Sequence, residues 1–105
     1  MLIRVRAAGV NRPDCLQRQG KYNPPPGVTD IPGLEVAREV CALGQGCRRL
    51  QEGQRVCALI AGGGYAEFAV ADEGLCMPVP EEVLLVVIAS FKAACLLKRI
   101  FRCLI

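Results

Sequence analysis

The residue types that can do chemistry are unevenly represented in this chain of 105 residues. It contains no histidine, so neither a Ser-His-Asp nor a Cys-His nucleophile can be assembled from it, and no imidazole is available as a base or zinc ligand. Seven cysteines are present, an odd number without a C-x-x-C pair, which disfavours a disulfide framework and a structural zinc site. The first residues include no uninterrupted apolar stretch of the secretory type. We therefore expect reduced cysteines, used as small hydrophobic residues, in a cytoplasmic protein.

Three consecutive glycines at positions 62–64 raise the question of a phosphate-binding loop. A dinucleotide fingerprint places G-x-G-x-x-G between a strand and a helix, and a P-loop requires G-K-[ST]. Here residues 65–71 (YAEFAVA) follow, and their pattern predicts a strand, so the helix N-terminus that would face a phosphate is missing. The glycine run is therefore interpreted as a hinge.

The elements that must position any site begin with a short strand, in which Leu2, Ile3 and Val5 alternate with arginines ahead of Gly9. Pro13 suits the first turn of a helix and Gly20 its C-terminal stop, which predicts about two turns of helix between them. The prolines of the next segment, KYNPPPGVTDIPG, cannot continue a helix or a central strand and predict a stiff loop.

Four further strands are predicted, at residues 35–43, 54–60, 65–71 and 75–79, separated by glycine turns. Pro78 confines the last of them to a sheet edge. Short strands at even spacing, without intervening long helices, indicate a mainly β barrel or sandwich and exclude a doubly wound sheet.

The charge is concentrated at the C-terminus. The chain has a net charge of +3, and residues 83–105 carry Lys92, Lys98, Arg99 and Arg102 without any acidic residue. The rest is nearly neutral and poor in aromatic residues, so nothing indicates nucleic-acid binding.

The same segment predicts a helical tail, since at ~100° per residue its basic side chains fall on one side of a helix and its leucines and isoleucines elsewhere. Its longest uncharged stretch, residues 83–91, is too short to span a bilayer. Three interpretations stand: a helix docked on the core or on a partner, a basic amphipathic helix lying on an anionic membrane surface, or a segment without a useful fold.

Several motifs, read together, resemble one known family. The series VNRPDCLQRQGKYNPPPG, IPGLEV, EGQRV, GGGYAEF and MPVPE is similar to the N-terminal, GroES-like domain of the medium-chain dehydrogenases/reductases. Within them it most resembles the zinc-independent quinone oxidoreductases of the tumour-suppressor-inducible NADPH:quinone oxidoreductase type. The resemblance implies a partial GroES-like barrel over residues 1–82, with residues 83–105 as a divergent helical tail.

The resemblance also bears on metal binding. Zinc-dependent relatives carry G-x-C-H-x-D and G-H-E segments, whose cysteine and histidine hold the catalytic zinc. At the matching positions this chain has Asn11 and Leu34, and neither a neutral amide nor an alkyl group holds zinc. The resemblance therefore implies no metal, with a nicotinamide delivering hydride to a quinone.

By resemblance, Asn11 and Tyr22 are the cofactor-binding residues, beside the nicotinamide of NADPH and the acceptor. Asn11 offers a donor and an acceptor, and Tyr22 offers a ring face and a hydroxyl. The structural alternatives are that Asn11 is an ordinary helix N-cap and that Tyr22 packs on the proline loop. No residue is assigned to catalysis. Glu35, without zinc beside it, is expected to be an internal hydrogen-bond partner of the barrel.

Departures from the family leave two hypotheses. The family's chains begin earlier and continue into a Rossmann domain with the dinucleotide fingerprint, and neither is found in these 105 residues, as in a truncated product. The first hypothesis is the substrate-side domain of an NADPH-dependent quinone reductase, inactive alone, from a family whose members are often homodimers. The second is a non-catalytic interaction or peripheral membrane protein that uses the basic tail. Unpaired barrel edges further predict a marginally stable or aggregation-prone monomer.

Overall fold

A five-stranded antiparallel sheet organises the part of the chain that this computed structural model describes, residues 1–82. The helical tail predicted for residues 83–105 lies outside the described residues. The sheet order is β4-β1-β2-β3-β5, so β4 and β5 are its outer strands. The elements in chain order are β1 (Leu2–Ala8), α1 (Arg12–Arg18), β2 (Glu35–Ala42), β3 (Arg55–Leu59), β4 (Phe68–Val70), a 3-10 turn (Glu73–Leu75) and β5 (Cys76–Pro78).

The core consists of a large cluster on one side of this sheet and a smaller cluster formed by Ala37, Cys57 and Val79. In β1, Ile3 is fully buried while the neighbouring Arg4 is exposed, as expected for a strand with one covered face. Both outer strands contribute to the large cluster, β4 through Ala69 and β5 through Cys76. The other buried members are Val36, Val40, Leu50, Val56, Ala58, Ile60 and Ala71. The mainly β fold predicted from the strand spacing is confirmed.

The helix α1 begins and ends close to the predicted residues. Pro13 occupies its first turn, and Gly20, just after the C-cap, has a φ of +73°, a backbone conformation that favours glycine. The following proline loop returns to the helix through Gln17, whose side-chain amide donates to the Asp30 carbonyl at 2.7 Å. The loop ends beside the first turn of α1, where the backbone N–H of Gly33 donates to Asp14 Oδ1 at 3.0 Å.

The third predicted strand is shorter than its sequence indicates. Strand β4 covers residues 68–70, whereas the prediction covered residues 65–71. Backbone hydrogen bonds continue on both sides of it, from the Val5 N–H to the Glu67 carbonyl and from the Ala71 N–H to the Met1 carbonyl. The backbone N–H of Gly64 donates to the Gly33 carbonyl and that of Tyr65 to the Pro32 carbonyl, at 3.0 and 2.9 Å. Because this segment pairs with the loop before β2, it does not extend β4.

Strand β5 lies at a sheet edge, as Pro78 predicts. Within residues 1–82, its strand partner is β3, and Pro78 stands opposite Val56. Within residues 1–82, no helix is long and apolar enough to cross a membrane. The single α-helix of that part is seven residues long.

Candidate ligand site around Asn11

Two buried carboxylates meet at Asn11. Of the described residues, Asp14 and Glu35 are charged side chains with only 5% and 3% of their surface exposed. Burying a carboxylate is unfavourable unless hydrogen bonds replace its lost hydration. Both carboxylates receive a hydrogen bond from Asn11, so this residue lies at the centre of the most polar part of the interior.

Asp14 binds three different segments of the chain. Its Oδ2 accepts the backbone N–H of Asn11 at 2.8 Å and the hydroxyl of Tyr65 at 3.1 Å. Its Oδ1 accepts the backbone N–H of Gly33 at 3.0 Å. Asp14 therefore joins the start of α1, the turn before β2 and the segment after the glycine run.

Glu35 contributes the second carboxylate from the first residue of β2. The side-chain amide of Asn11 donates to Glu35 Oε2 at 2.9 Å. The other oxygen, Oε1, is buried and has no hydrogen-bond partner among residues 1–82. The expectation that Glu35 acts as an internal hydrogen-bond partner is confirmed, with Asn11 as its partner.

The backbone around Asp14 is unusually close because Gly33 has no side chain. Its φ is +106°, and a Cβ placed there would lie 2.6 Å from the Tyr65 nitrogen and 2.7 Å from the Gly64 Cα. No side chain larger than hydrogen fits at that distance. This glycine therefore lets the residues after the glycine run approach β2 and brings Tyr65 to Asp14.

The environment of Tyr65 favours its neutral hydroxyl. Desolvation by burial raises its pKa to about 12, and the hydrogen bond to Asp14 and the charge of that carboxylate act in the same direction. The side chain is still 41% exposed. Tyr65 thus connects the buried carboxylate with the surface.

Asn11 and Tyr22, the two predicted cofactor-binding residues, differ in their contacts. Asn11 stands at the N-cap of α1, in agreement with the structural alternative, and its amide nitrogen binds Glu35. Tyr22 lies half-buried in the loop after α1, and within residues 1–82 no hydrogen bond joins it to Asn11. Leu34 is half-buried, and its carbonyl accepts the backbone N–H of Ile60 at 2.8 Å.

Two residues of the site, Asp14 and Tyr65, were missed by the sequence analysis. A signal for Asp14 existed, since an acidic residue three positions after an N-cap asparagine has the spacing of a capping box. The contact between Tyr65 and Asp14 spans 51 positions, and no local pattern announces it.

No metal cluster is found in the part of the chain that the structure describes, where no group of three or more His, Cys, Asp or Glu side chains is placed to hold an ion. Asp14 already accepts the backbone N–H groups of Asn11 and Gly33 and the hydroxyl of Tyr65. The group that remains for hydrogen bonding to a polar organic ligand is the side-chain carboxamide of Asn11.

Comparison with known proteins identifies the family of this chain. A family model described as the alcohol dehydrogenase GroES-like domain matches residues 1–81. The quinone oxidoreductase of Rattus norvegicus is 38% identical over 82 residues, which are 77% of this chain and 25% of that protein. The chain thus spans about a quarter of the length of the curated relatives it matches.

Solved structures agree with this similarity. A human synaptic vesicle membrane protein VAT-1 homolog-like protein superposes with a TM-score of 0.73 at 30% identity, over 81% of this chain and 27% of that one. The quinone oxidoreductase of Thermus thermophilus, also solved in complex with NADPH, gives a TM-score of 0.55 at 31% identity, over 80% and 24% of the two chains. With sequence, fold and family model in agreement, the chain belongs to the alcohol dehydrogenase GroES-like domain family, and its relatives there include quinone oxidoreductases.

Proposed function

We propose that this protein takes part in the NADPH-dependent, zinc-free reduction of a quinone, and that residues 1–82 supply the wall of the site that contacts the acceptor. The observation that carries the proposal is the hydrogen bond from the Asn11 amide to the buried carboxylate of Glu35, at a position where zinc-dependent relatives carry a metal-binding cysteine. An amide held by a carboxylate binds a carbonyl group well and a zinc ion poorly.

The residues present fit both reactants in their donor set. Asn11 offers amide groups to a carboxamide or a quinone carbonyl, and Tyr22 offers a ring face and a hydroxyl from the loop after α1. When bound, the nicotinamide supplies the hydride. The chain orients the acceptor through Asn11, and the half-buried Tyr22 reduces access of water to it. The Thermus thermophilus relative, solved with NADPH, supports the choice of cofactor.

Binding of the acceptor is the first test. Duroquinone is a suitable probe because its fully substituted ring has no open position for addition of the seven cysteine thiols. We expect saturable shifts of the Asn11 side-chain N–H and Tyr22 ring signals in NMR spectra of the 105-residue chain, and we expect the Tyr22 shifts to be weakened in Asn11→Ala. Gln45→Ala is the matched control, since Gln45 is an exposed amide in the loop after β2. Tyr22 ring shifts that persist unchanged in Asn11→Ala would overturn the assignment of this site.

Cofactor and metal dependence are the second test. We propose that the 105-residue chain does not bind NADPH in the micromolar range and does not turn over a quinone unaided. Isothermal titration with NADPH and the absorbance of NADPH during incubation with duroquinone measure both. Steady turnover by this chain, or quinone binding that disappears with a chelator and returns with zinc, would contradict the proposal. We also propose a cytoplasmic location, on the ground that the sequence has an odd number of cysteines and no C-x-x-C pair.

A further inference from the structure

Asn11 and Glu35 restrict each other's orientation. A carboxylate only accepts hydrogen bonds, so the amino side of the Asn11 carboxamide, not its carbonyl oxygen, faces Glu35 Oε2 at 2.9 Å. Turning the amide over would bring two acceptor oxygens together beside a carboxylate that is 3% exposed. The pair therefore holds the amide in one of its two orientations.

The second oxygen of Glu35 strengthens this restriction. In the described part of the chain, Oε1 is buried without a hydrogen-bond partner, so the charge of the carboxylate is stabilised through Oε2 and the amide of Asn11. A flip of Asn11 would leave both oxygens of a buried carboxylate without a side-chain donor from this residue, which is strongly unfavourable. Glu35 thus has more influence on Asn11 than a surface partner would have.

The amide nitrogen of Asn11 carries two N–H groups, and Glu35 uses one of them. We propose that Glu35 is a positioning residue that keeps Asn11 as a hydrogen-bond donor, with its second N–H available to a carbonyl oxygen of the ligand. The site then selects a carbonyl group over a ligand N–H or O–H.

This inference deepens the proposed function and rests on it for the identity of the ligand. When hydride adds to a quinone ring, the electron pair moves onto a carbonyl oxygen, which becomes an oxyanion before it takes up a proton from water. An N–H donor already aimed at that oxygen stabilises the developing charge. The orientation of the amide, by contrast, is a property of the two side chains and is measurable without any ligand.

The orientation is tested on the 105-residue chain without ligand. We expect the two side-chain N–H protons of Asn11 to be well separated in NMR spectra, because one of them faces a carboxylate. Glu35→Leu removes the acceptor and should collapse the separation, whereas Glu35→Gln retains an acceptor oxygen and should preserve much of it. An Asn11 signal that is the same in wild type and in Glu35→Leu would overturn the inference.

The donor role is tested by reversing the polarity of the pair. In the double variant Asn11→Asp with Glu35→Gln, the new glutamine amide donates to the new aspartate, so the pair is restored but position 11 offers no N–H. We expect the double variant to unfold close to the wild-type midpoint and to bind duroquinone about tenfold more weakly, the effect of one lost hydrogen bond. Gln45→Ala should bind like the wild type.

The results of these experiments distinguish the donor role of Asn11 from the proposed binding of a quinone. A folded double variant that binds duroquinone as tightly as the wild type overturns the donor role and leaves quinone binding intact. Absence of duroquinone binding in the wild type overturns the proposed function, and the inference is then decided by the Asn11 N–H signals in Glu35→Leu and Glu35→Gln.

Discussion

The hydroxyl of Tyr65 lies 3.1 Å from Oδ2 of Asp14, although 51 positions separate the two residues in the sequence. The same carboxylate oxygen accepts the backbone N–H of Asn11 at 2.8 Å. The Asn11 end of α1 and the segment after the glycine run are therefore held together by one buried carboxylate. Because Asn11 is the centre of the proposed site, the stability of this contact bears directly on function.

Tyr65→Phe should destabilise the protein by about 1 kcal/mol, since Asp14 would lose one of its three donors while the ring remains in place. Urea unfolding at neutral pH measures the change. Tyr22→Phe is the matched control, because within residues 1–82 no hydrogen bond engages the Tyr22 hydroxyl. Equal stability losses in the two variants would show that the bond to Asp14 contributes nothing.

The pKa of Tyr65 also predicts a pH dependence. Burial, with Asp14 nearby, raises this pKa from 10.0 to about 12, so the unfolded chain loses the proton at lower pH than the folded one. The contribution to stability is fully present below about pH 10 and is lost as the pH rises toward 12.

Tyrosinate absorbance measures this titration directly. The wild type should show a step near pH 12 that is absent from Tyr65→Phe. The decline in unfolding free energy above pH 10 should be correspondingly smaller in that variant. A Tyr65 step near the ordinary value of 10.0 would exclude the contact with Asp14 in solution.

Local sequence patterns predicted the positions of β1 and α1. The alternation in β1 and the stop at Gly20 predicted elements close to those observed. The prediction was wrong for residues 65–67, because a tyrosine and alanine next to a strand also suit a strand. Their backbone conformation is decided by the approach to Gly33, which depends on residues about 30 positions earlier.

The site was predictable only in part. Asn11 was identified through the family resemblance, and Glu35 was expected to be an internal hydrogen-bond partner. Asp14 and Tyr65 were not singled out, because a carboxylate at a helix start and an aromatic residue after glycines are common and usually structural. Their importance comes from burial and from each other, which only the folded chain displays.

Gly33→Ala should be among the most destabilising single substitutions in residues 1–82. The new Cβ would lie 2.6 Å from the Tyr65 nitrogen at a φ of +106°, so both a clash and backbone strain result. We expect a loss of more than about 2 kcal/mol in urea unfolding. Gly20→Ala is the control, since it has a φ of +73° and open space around it, and should cost only about 1 kcal/mol. Similar losses at both positions would rule out the close approach.

Glu73 should make the loop after β2 sensitive to acid. Its carboxylate accepts the backbone N–H groups of Arg48, Arg49 and Leu50 at 3.2, 3.0 and 3.1 Å. Desolvation alone would raise the pKa of Glu73, but these hydrogen bonds and the charge of Arg49 outweigh it and lower the pKa below 4.5. This stabilisation is present above pH 4.5 and is lost as the pH falls through the folded-state pKa.

Glu73→Gln should therefore lower the thermal midpoint at neutral pH and flatten its decline in acid. Thermal unfolding followed by circular dichroism between pH 3 and 7 measures both effects. Glu52→Gln is the control, since Glu52 is exposed in the loop after β2, and it should behave like the wild type. If the thermal midpoint of Glu73→Gln declines in acid as steeply as that of the wild type, the three N–H groups do not stabilise this carboxylate.

The outer strand β4 should promote self-association. Val70 is 74% exposed and Phe68 45% exposed, and both line a groove with Val28 and Ile31. Within the described residues, β4 pairs with β1 alone, which leaves its other edge open. An exposed apolar edge strand is a template for pairing with another chain, and a lysine there disfavours such pairing.

Val70→Lys should therefore raise the monomer fraction in size-exclusion chromatography with light scattering, with little change in unfolding free energy. Val10→Lys is the matched control, because Val10 is 76% exposed but lies outside the sheet. If both lysine variants increase the monomer fraction equally, added charge and not the strand edge controls association.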